Sequence, residues 1–392
     1  MRAPVLDPEL PVLLLRTDPN PFHHGTLGAI RSFGRRGVAV HADLAGRPQP
    51  AAASRYLRSR MPGEPSAARP GALLARLAAD AERIGRRALL VPLDDAMAIF
   101  TAEHASALAA HFVLPPSGTP RRVADKAALT DACERRGIAV PECHRPGSRD
   151  HLDELVAKLG LPLIAKWARP WLLAPGARST TLVRSAEHAE RLFAAAGDAA
   201  GPLLLQRLVP PGGDWFYQAY FDGSGVCLFS ATGRKHVAYP EHTGHTVAGE
   251  WVHNPKLDEL ATGVAGALGC RGVVDLDFRY DAAAGVYRLL DVNPRLGAQF
   301  RLFTDGRGLD LAAVLHLDAS GRAVPPAVPR PGRTLVVENQ YLRRALRTPG
   351  ALGRFRELTA SGETAWFDRA DPGPFFAMAR ASVARVLTKG LK

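Results

Sequence analysis

Short apolar runs alternate along the first third of the chain with longer segments of helical spacing. Pro11–Thr17 (PVLLLRT) is a buried-strand run closed by an Asp-Pro-Asn cluster, and Val38–Ala42 and Ala88–Pro92 are further runs of this kind. Around them lie segments whose apolar residues recur at three and four. These are Gly25–Arg36, through Leu27, Ile30 and Phe33, then Gly71–Ile84 and Asp94–His111. Strand–helix alternation predicts an open parallel α/β sheet, Rossmann-like, over residues 1–115. Such sheets bind ligands beyond the carboxyl ends of their strands. The loop Asp18–Gly28, with His23 and His24, and the pair Asp94–Asp95 occupy such ends and are candidate substrate contacts.

Pro115–Pro120 (PPSGTP) reads as a linker. Helices are predicted beyond it over Val123–Arg136, His151–Leu159 and Glu187–Ala196, with strands at Pro162–Trp167 and Thr180–Arg184. From Pro202 the period changes. Leu203–Val209, Phe216–Phe221, Val226–Thr232, His245–Val252, Val273–Tyr280 and Val286–Val292 are strands in a run, interrupted by one helix, Lys256–Leu268. Strands in a run predict an antiparallel sheet, so an α/β unit precedes an α+β region. In the last stretch Asp371–Pro372 reads as the cap and first turn of a helix over Pro374–Thr388. That helix places Phe375, Met378, Val383 and Val386–Leu387 on one face and Arg380, Arg385 and Lys389 outside. Its expected role is docking on the protein's own body, with a partner protein or an anionic surface as the alternative.

Charge changes the picture only slightly. The 392 residues carry 50 basic and 38 acidic side chains, a net +12 that raises the question of a polyanion partner. The excess is +4 over 1–115, +2 over 116–330 and +6 over 331–392. No basic stripe runs along the chain, and no nucleic acid is expected. Cys133, Cys143, Cys227 and Cys270 form no CxxC and have no clustered His, which excludes a zinc site or a disulfide framework. No apolar run approaches a membrane span and no leader pattern opens the chain, so the cytoplasm is the expected compartment. Only seven of the basic residues are Lys. Lys and Arg are not interchangeable, so each internal Lys is a candidate for a specific task.

The strongest local feature is Val273–Arg295, VVDLDFRYDAAAGVYRLLDVNPR, two strands around a turn at Asp281–Gly285. Alternation puts Asp275, Asp277 and Arg279 on one face and Val274, Leu276 and Phe278 on the other. Asp291 and Asn293 share a face of the second strand, with Asp291 opposite Asp275 or Asp277 depending on the register. Facing carboxylates repel unless a cation lies between them, and oxygen donors without His or Cys favour Mg²⁺. Lys126 opens a helix after the linker. Lys166 sits in the apolar strand PLIAKW, where an ammonium is costly unless it meets an anion. Gln206–Pro211 ends a strand, Gly212–Gly213 permits a tight turn, and Asp214 and Arg234–Lys235 follow.

This order of motifs resembles the ATP-grasp superfamily, within the carboxylate–amine ligases, and most of all the branch of D-aspartate ligase-like and biosynthetic amino-acid ligases. The resemblance covers about residues 116–310, and 1–115 at the level of fold. It implies four parts: a Rossmann-like domain over 1–115, ATP-grasp subdomains over 116–201 and 202–330, and a basic C-terminal segment over 331–392. It implies that Lys126 and Lys166 hold ATP phosphates. Gln206, Arg207 and Leu208 form the adenine hinge, and Asp214 holds the ribose. Asp277, Asp291 and Asn293 bind Mg²⁺, while Arg295, Arg234 and Lys235 stabilise an acyl phosphate. The implied activity is ADP-forming amide or peptide bond formation between a small carboxylate and an amine, an amino acid among them, in the biosynthesis of a small metabolite or peptide. A homodimer is a possible assembly. His236, His242 and His245 are candidate bases for the amine, and Trp171 and Trp215 candidate pocket walls. Both metal acids are Asp where the family usually has Glu, and the hinge reads Gln-Arg where Gln-Glu is frequent. The loop after Lys166 has one glycine, Gly176, and a stiff Pro175. The alternative reading is a nucleotide-binding protein of this fold without catalysis, with a regulatory or interaction role.

Overall fold

The apolar runs become three sheets. The computed structural model describes all residues except 1–3, 45–48, 63–65, 175, 196–199, 211, 241–242, 346–349 and 391–392. The first sheet is parallel, with β1 (Val12–Arg16), β2 (Val40–Leu44), β3 (Ser59–Arg60), β4 (Ala88–Pro92) and β5 (Phe112–Val113) in the order β3-β2-β1-β4-β5. β1 is buried from end to end because both its faces are covered. Val12 and Leu14 join one core, and Leu13 and Leu15 the core on the other side. Helices His24–Gly34 and Pro70–Ile84 follow the spacing expected. The segment expected as one helix over 94–111 breaks at His104, into Asp95–Glu103 and Ala105–Leu108.

The second sheet is antiparallel. It contains β6 (Cys143–His144), β7 (Leu163–Trp167), β8 (Thr180–Val183) and β9 (Leu203–Arg207), in the order β6-β9-β7-β8. Before it, the predicted helix over 123–136 is two pieces, Pro120–Ala124 and Lys126–Glu134. Asp125 causes the break: its backbone is extended and its carboxylate accepts from the N–H groups of Ala127 and Ala128 at 3.0 and 3.1 Å.

The third sheet is the largest. It has β10 (Asp214–Phe221), β11 (Cys227–Tyr239), β12 (His245–Trp251), β13 (Gly272–Asp281), β14 (Val286–Asn293), β15 (Thr334–Val336) and β16 (Glu363–Thr364). Their order is β14-β13-β10-β11-β12-β15-β16, antiparallel except for β15–β16. β11 is thirteen residues long and takes in much of the stretch expected as a loop after Thr232. One face packs on helix Pro255–Ala267 and on the helices before the second sheet, through Leu276, Phe278, Leu257 and Leu129. The other face turns partly to the first domain, through Phe216, Phe300 and Phe303, and partly to the second sheet.

The C-terminal segment belongs to this body. β15 and β16 extend the third sheet, and helix Gly373–Gly390 lies on the short helix Pro50–Ala53. Asp371 does not serve as the expected cap. It is buried, pairs with Arg31 at 2.9 Å, and accepts from Ser54 Oγ and the Arg55 N–H. Pro374 and Met378 turn inward, whereas Val383, expected on the apolar face, is exposed. The side chains of Val386, Leu387 and Lys389 lie outside the described residues. No helix among the described residues is long and apolar enough to cross a membrane, and all four cysteines are free.

Candidate active site

The register of the third sheet settles the question left open by the hairpin. Asp277 lies opposite Asp291, and Asp275 opposite Asn293. The pairing requires a bulge. Phe278 is opposite Leu289, so Leu290 has no partner. Strict alternation would place Leu289 and Asp291 on one face. The extra residue lets Leu289 enter the core while Asp291 faces the cleft. A second bulge at His236 has the same effect on β11. Lys235 pairs with Gly249 and Val237 with Ala248, so Lys235 faces the cleft while Val237 is packed in a core.

Three lysines meet this face from different elements. Lys126, the first residue of its helix, ion-pairs with Asp291. Lys166 reaches across from β7 and donates to the carbonyl of the bulged Leu290 at 2.9 Å. Lys235 on β11 pairs with Asp277 at 2.6 Å. Burial pushes the Asp291 carboxyl up, but Lys126 and Lys166 outweigh it and hold the group below its ordinary value. Burial also pulls Lys166 down, with Lys126 adding to the pull. On Lys235 burial is outweighed by Asp277, which holds the ammonium above its usual range.

Between the second and third sheets lies an open cavity. Lys166, Gln206, Arg207, Leu208, Asp214, Lys235, Asp277 and Asp291 line it. Gln206 is on the cleft face of β9 with Ile164 opposite it. The Arg207 side chain turns away, to Glu142 at 2.7 and 3.0 Å and to the Leu159 carbonyl, so its backbone is what it offers the cavity. Asp214 is engaged by Arg279 at 2.6 and 3.1 Å. A carboxylate has about four acceptor positions, so room for another donor remains.

Arg295 stands at the end of the same face. It contacts Asn293 Oδ1 at 3.3 Å, Asp95 at 3.4 Å and Asp275 at 3.8 Å. Asp95 comes from the carboxyl end of β4, so Arg295 joins the first domain to the third sheet. Burial opposes its charge, but Asp95, Asp275 and Asp291 hold the guanidinium above its ordinary value. Burial pushes Asp275 up, with Asp277 adding to the push. Asp275 also accepts from Gln218 at 3.1 Å. Residue 297 is glycine where a Cβ would lie 2.0 Å from Gln218 Nε2 and 2.7 Å from the Asp275 carboxyl, so any side chain there would push these two groups aside.

Other expected residues go elsewhere. Arg234 is exposed on the opposite face, over the Trp215 ring at 5.9 Å, because neighbours along a strand alternate. Trp215 packs edge-on to Tyr287 there, and Trp171 rests on the core of the first domain. Asp94 is structural: it caps helix Asp95–Glu103 through the Met97 N–H and accepts from the Thr17 and Asp18 N–H groups. His236 is tied to Glu250 at 2.7 Å. His242 and Pro175 lie outside the described residues. His245 stays near the cleft with its side chain exposed, its pKa lowered by partial desolvation and by Arg295 and Lys235. Sequence reasoning missed Gln218 and the bulged Leu290, whose roles depend on register.

The donor set at Asp277, Asp291 and Asn293 suits a hard divalent cation. It is made of oxygen only, and each carboxylate already stabilises one positive charge. No group of three His, Cys, Asp or Glu side chains forms a metal site among the described residues. Two carboxylates and an amide fit an ion shared with a ligand's phosphates better than a closed protein cage.

No family model and no curated protein matches the sequence. Solved structures do match. N5-carboxyaminoimidazole synthetase from Staphylococcus aureus, complexed with ADP, aligns with a TM-score of 0.64 at 10% identity, over 91% of this chain and 89% of that one. The biotin carboxylase domain dimer of Hydrogenobacter thermophilus 2-oxoglutarate carboxylase, with MgADP, ADP and bicarbonate, aligns at 0.61 and 15% identity, over 82% and 73%. The Aspergillus clavatus N5-carboxyaminoimidazole synthase with ADP and 5-aminoimidazole ribonucleotide aligns at 0.60 and 14%, over 84% and 81%. At such identities the likeness is one of fold, and the fold is the ATP-grasp fold.

Proposed function

We propose that the chain is an ATP-dependent, ADP-forming carboxylate–amine ligase that makes an amide or peptide bond by way of an acyl phosphate. One observation carries this reading: Lys126 and Lys235 pair with the facing carboxylates of Asp291 and Asp277, and Lys166 donates to the neighbouring Leu290 carbonyl, beside an open cavity. A site that concentrates rotatable ammonium donors and oxygen ligands on one face suits phosphoryl transfer, in which catalysis is mostly positioning and charge stabilisation. Bound Mg²⁺ would be held by Asp277, Asp291 and Asn293 and would supply charge neutralisation at the phosphates.

Lys126 and Lys166 hold the ATP phosphates, the backbone of Gln206–Leu208 reads the adenine edge, and Asp214 takes the ribose. The substrate carboxylate attacks the γ-phosphorus, the new O–P bond forms, and the bond to ADP breaks. The amine then attacks the acyl carbon, phosphate leaves, and one proton passes to a base. Arg295 and Lys235 face the acyl phosphate and the oxyanion that follows it. His245, exposed beside the cleft with its charged form disfavoured by partial desolvation and by Arg295 and Lys235, is the described histidine fitted to take the proton. Arg234, on the far face, takes no part. The acid is small, an amino acid or a relative, as in the amino-acid ligase branch, and the setting is cytoplasmic biosynthesis.

The test is ADP release from MgATP across a panel of amino acids and small acids paired with amines. Asp291→Ala should abolish release with an active pair, with circular dichroism showing that the variant is folded. Retained turnover in that variant sinks the metal assignment. Nucleotide binding with no release by the unaltered protein for any pair would favour a non-catalytic ATP-grasp protein.

A further inference from the structure

His23 sits at the carboxyl edge of the first sheet, as the N-cap of helix His24–Gly34. Its Nδ1 accepts from the Thr26 backbone N–H at 3.1 Å and lies 2.8 Å from Thr26 Oγ1. A ring nitrogen that accepts from a backbone N–H carries no proton. The single N–H of a neutral imidazole is then on Nε2. The helix cap, rather than a catalytic partner, therefore sets the tautomer.

The ring also lies against the loop that follows Arg295. A Cβ on Gly25 would meet His23 Cε1 at 3.0 Å and the Ala298 backbone at 2.9 Å, so the imidazole and the loop after Arg295 flank one point. Nδ1 is turned to Thr26 and Cε1 to Gly25, which leaves Nε2 on the free edge of the ring. Among the described residues nothing hydrogen-bonds it. Burial, and after it Arg16, His24, Arg295 and His245, disfavour a second proton.

We propose that His23 presents Nε2–H toward the loop after Arg295 as a neutral donor to a carboxylate oxygen of the acid substrate, and that it is not the base for the amine. This rests on the ligase reading above. The chemistry favours a neutral donor. A carboxylate held by two cations would be a poor nucleophile toward phosphorus, whereas one cation and one neutral N–H orient it with less loss of reactivity.

Imidazole ¹⁵N NMR of the full chain tests the tautomer without substrate. His23 should show the Nε2–H form and no titration between about pH 5 and 8. An Nδ1–H form, or protonation in that range, overturns the proposal. Once an active acid–amine pair is known, His23→Gln, which keeps an N–H near the Nε2 position, should hold KM for the acid close to its original value. His23→Ala should raise it about 10- to 100-fold with a smaller effect on kcat. Both variants alter the N-cap, so a KM effect confined to Ala is not a folding effect. Equal loss of kcat in both variants, with the acid limb of the kcat–pH profile gone, would show a base and refute the donor role. Absence of ADP release by the unaltered protein with every pair is a different failure. It removes the ligase reading and the donor role with it, and NMR still decides the tautomer.

Discussion

Lysine is scarce in this chain, and three of the seven lysines point at one face of one sheet. Arginines do the fixed work instead. Arg279 forks onto Asp214, Arg207 onto Glu142, and Arg31 onto Asp371 and the carbonyls of Trp366 and Asp371. A planar guanidinium suits rigid bidentate bonds, whereas an ammonium on a flexible stem can turn from a carboxylate to an incoming phosphate. Away from the cleft, Asp43 is fully buried against Arg76. Burial raises its pKa to about 7 against the pull of Arg76, with Asp80 adding to the rise. The folded value lies above the ordinary 3.8, so folding favours the protonated form. Its contribution is complete below 3.8 and lost as pH rises through about 7. Asp43→Asn should therefore flatten the fall of Tm between about pH 4 and 7. Thermal melts across that range check this, and an unchanged slope counts against it.

Among the elements, β11 and β14 show what a single extra residue decides. Both carry alternating sequence, and both break alternation at a residue next to the cleft, His236 and Leu290. Without the break, Leu289 would share the face of Asp291. With it, Leu289 is 2% exposed in the core beneath the sheet. Leu289→Ala should then cost about 2–5 kcal/mol in urea unfolding, the range for truncating a buried leucine. A cost below about 0.5 kcal/mol, the usual size for a surface change, would place the side chain in the cleft and refute the bulge.

For the whole molecule, the last sixty residues hold the parts together. β15 and β16 lengthen the third sheet, Glu338 accepts from the N–H groups of Trp366 and Phe367, and Asp371 ties Arg31 to the short helix at Pro50–Ala53. The first domain is thus fastened to the sheet carrying Asp277 and Asp291 at a point far along the chain. Part of the basic surplus is accounted for here, since Arg343 and Arg385 lie over the Phe22 ring at 5.9 and 6.0 Å. Asp371→Ala leaves a buried guanidinium without its counter-ion and should destabilise the protein by about 3–5 kcal/mol. Chemical denaturation measures this, and a loss under about 1 kcal/mol would mean the pair is dispensable, as exposed pairs are.

Periodicity alone determined the parallel first sheet and the antiparallel run after Pro202; residue type made Lys126, Lys166, Lys235, Asp291 and either Asp275 or Asp277 candidates, and the family resemblance chose among them. Those signals are local: a two-residue or 3.6-residue period is written in consecutive positions. Tertiary structure decided which carboxylates face each other, that Arg234 looks away, that Asp371 clamps rather than caps, and that the C-terminal segment completes a sheet. Each depends on register or on a partner tens to hundreds of residues distant. A slip of one residue, such as the bulge at Leu290, changes the face of every side chain beyond it.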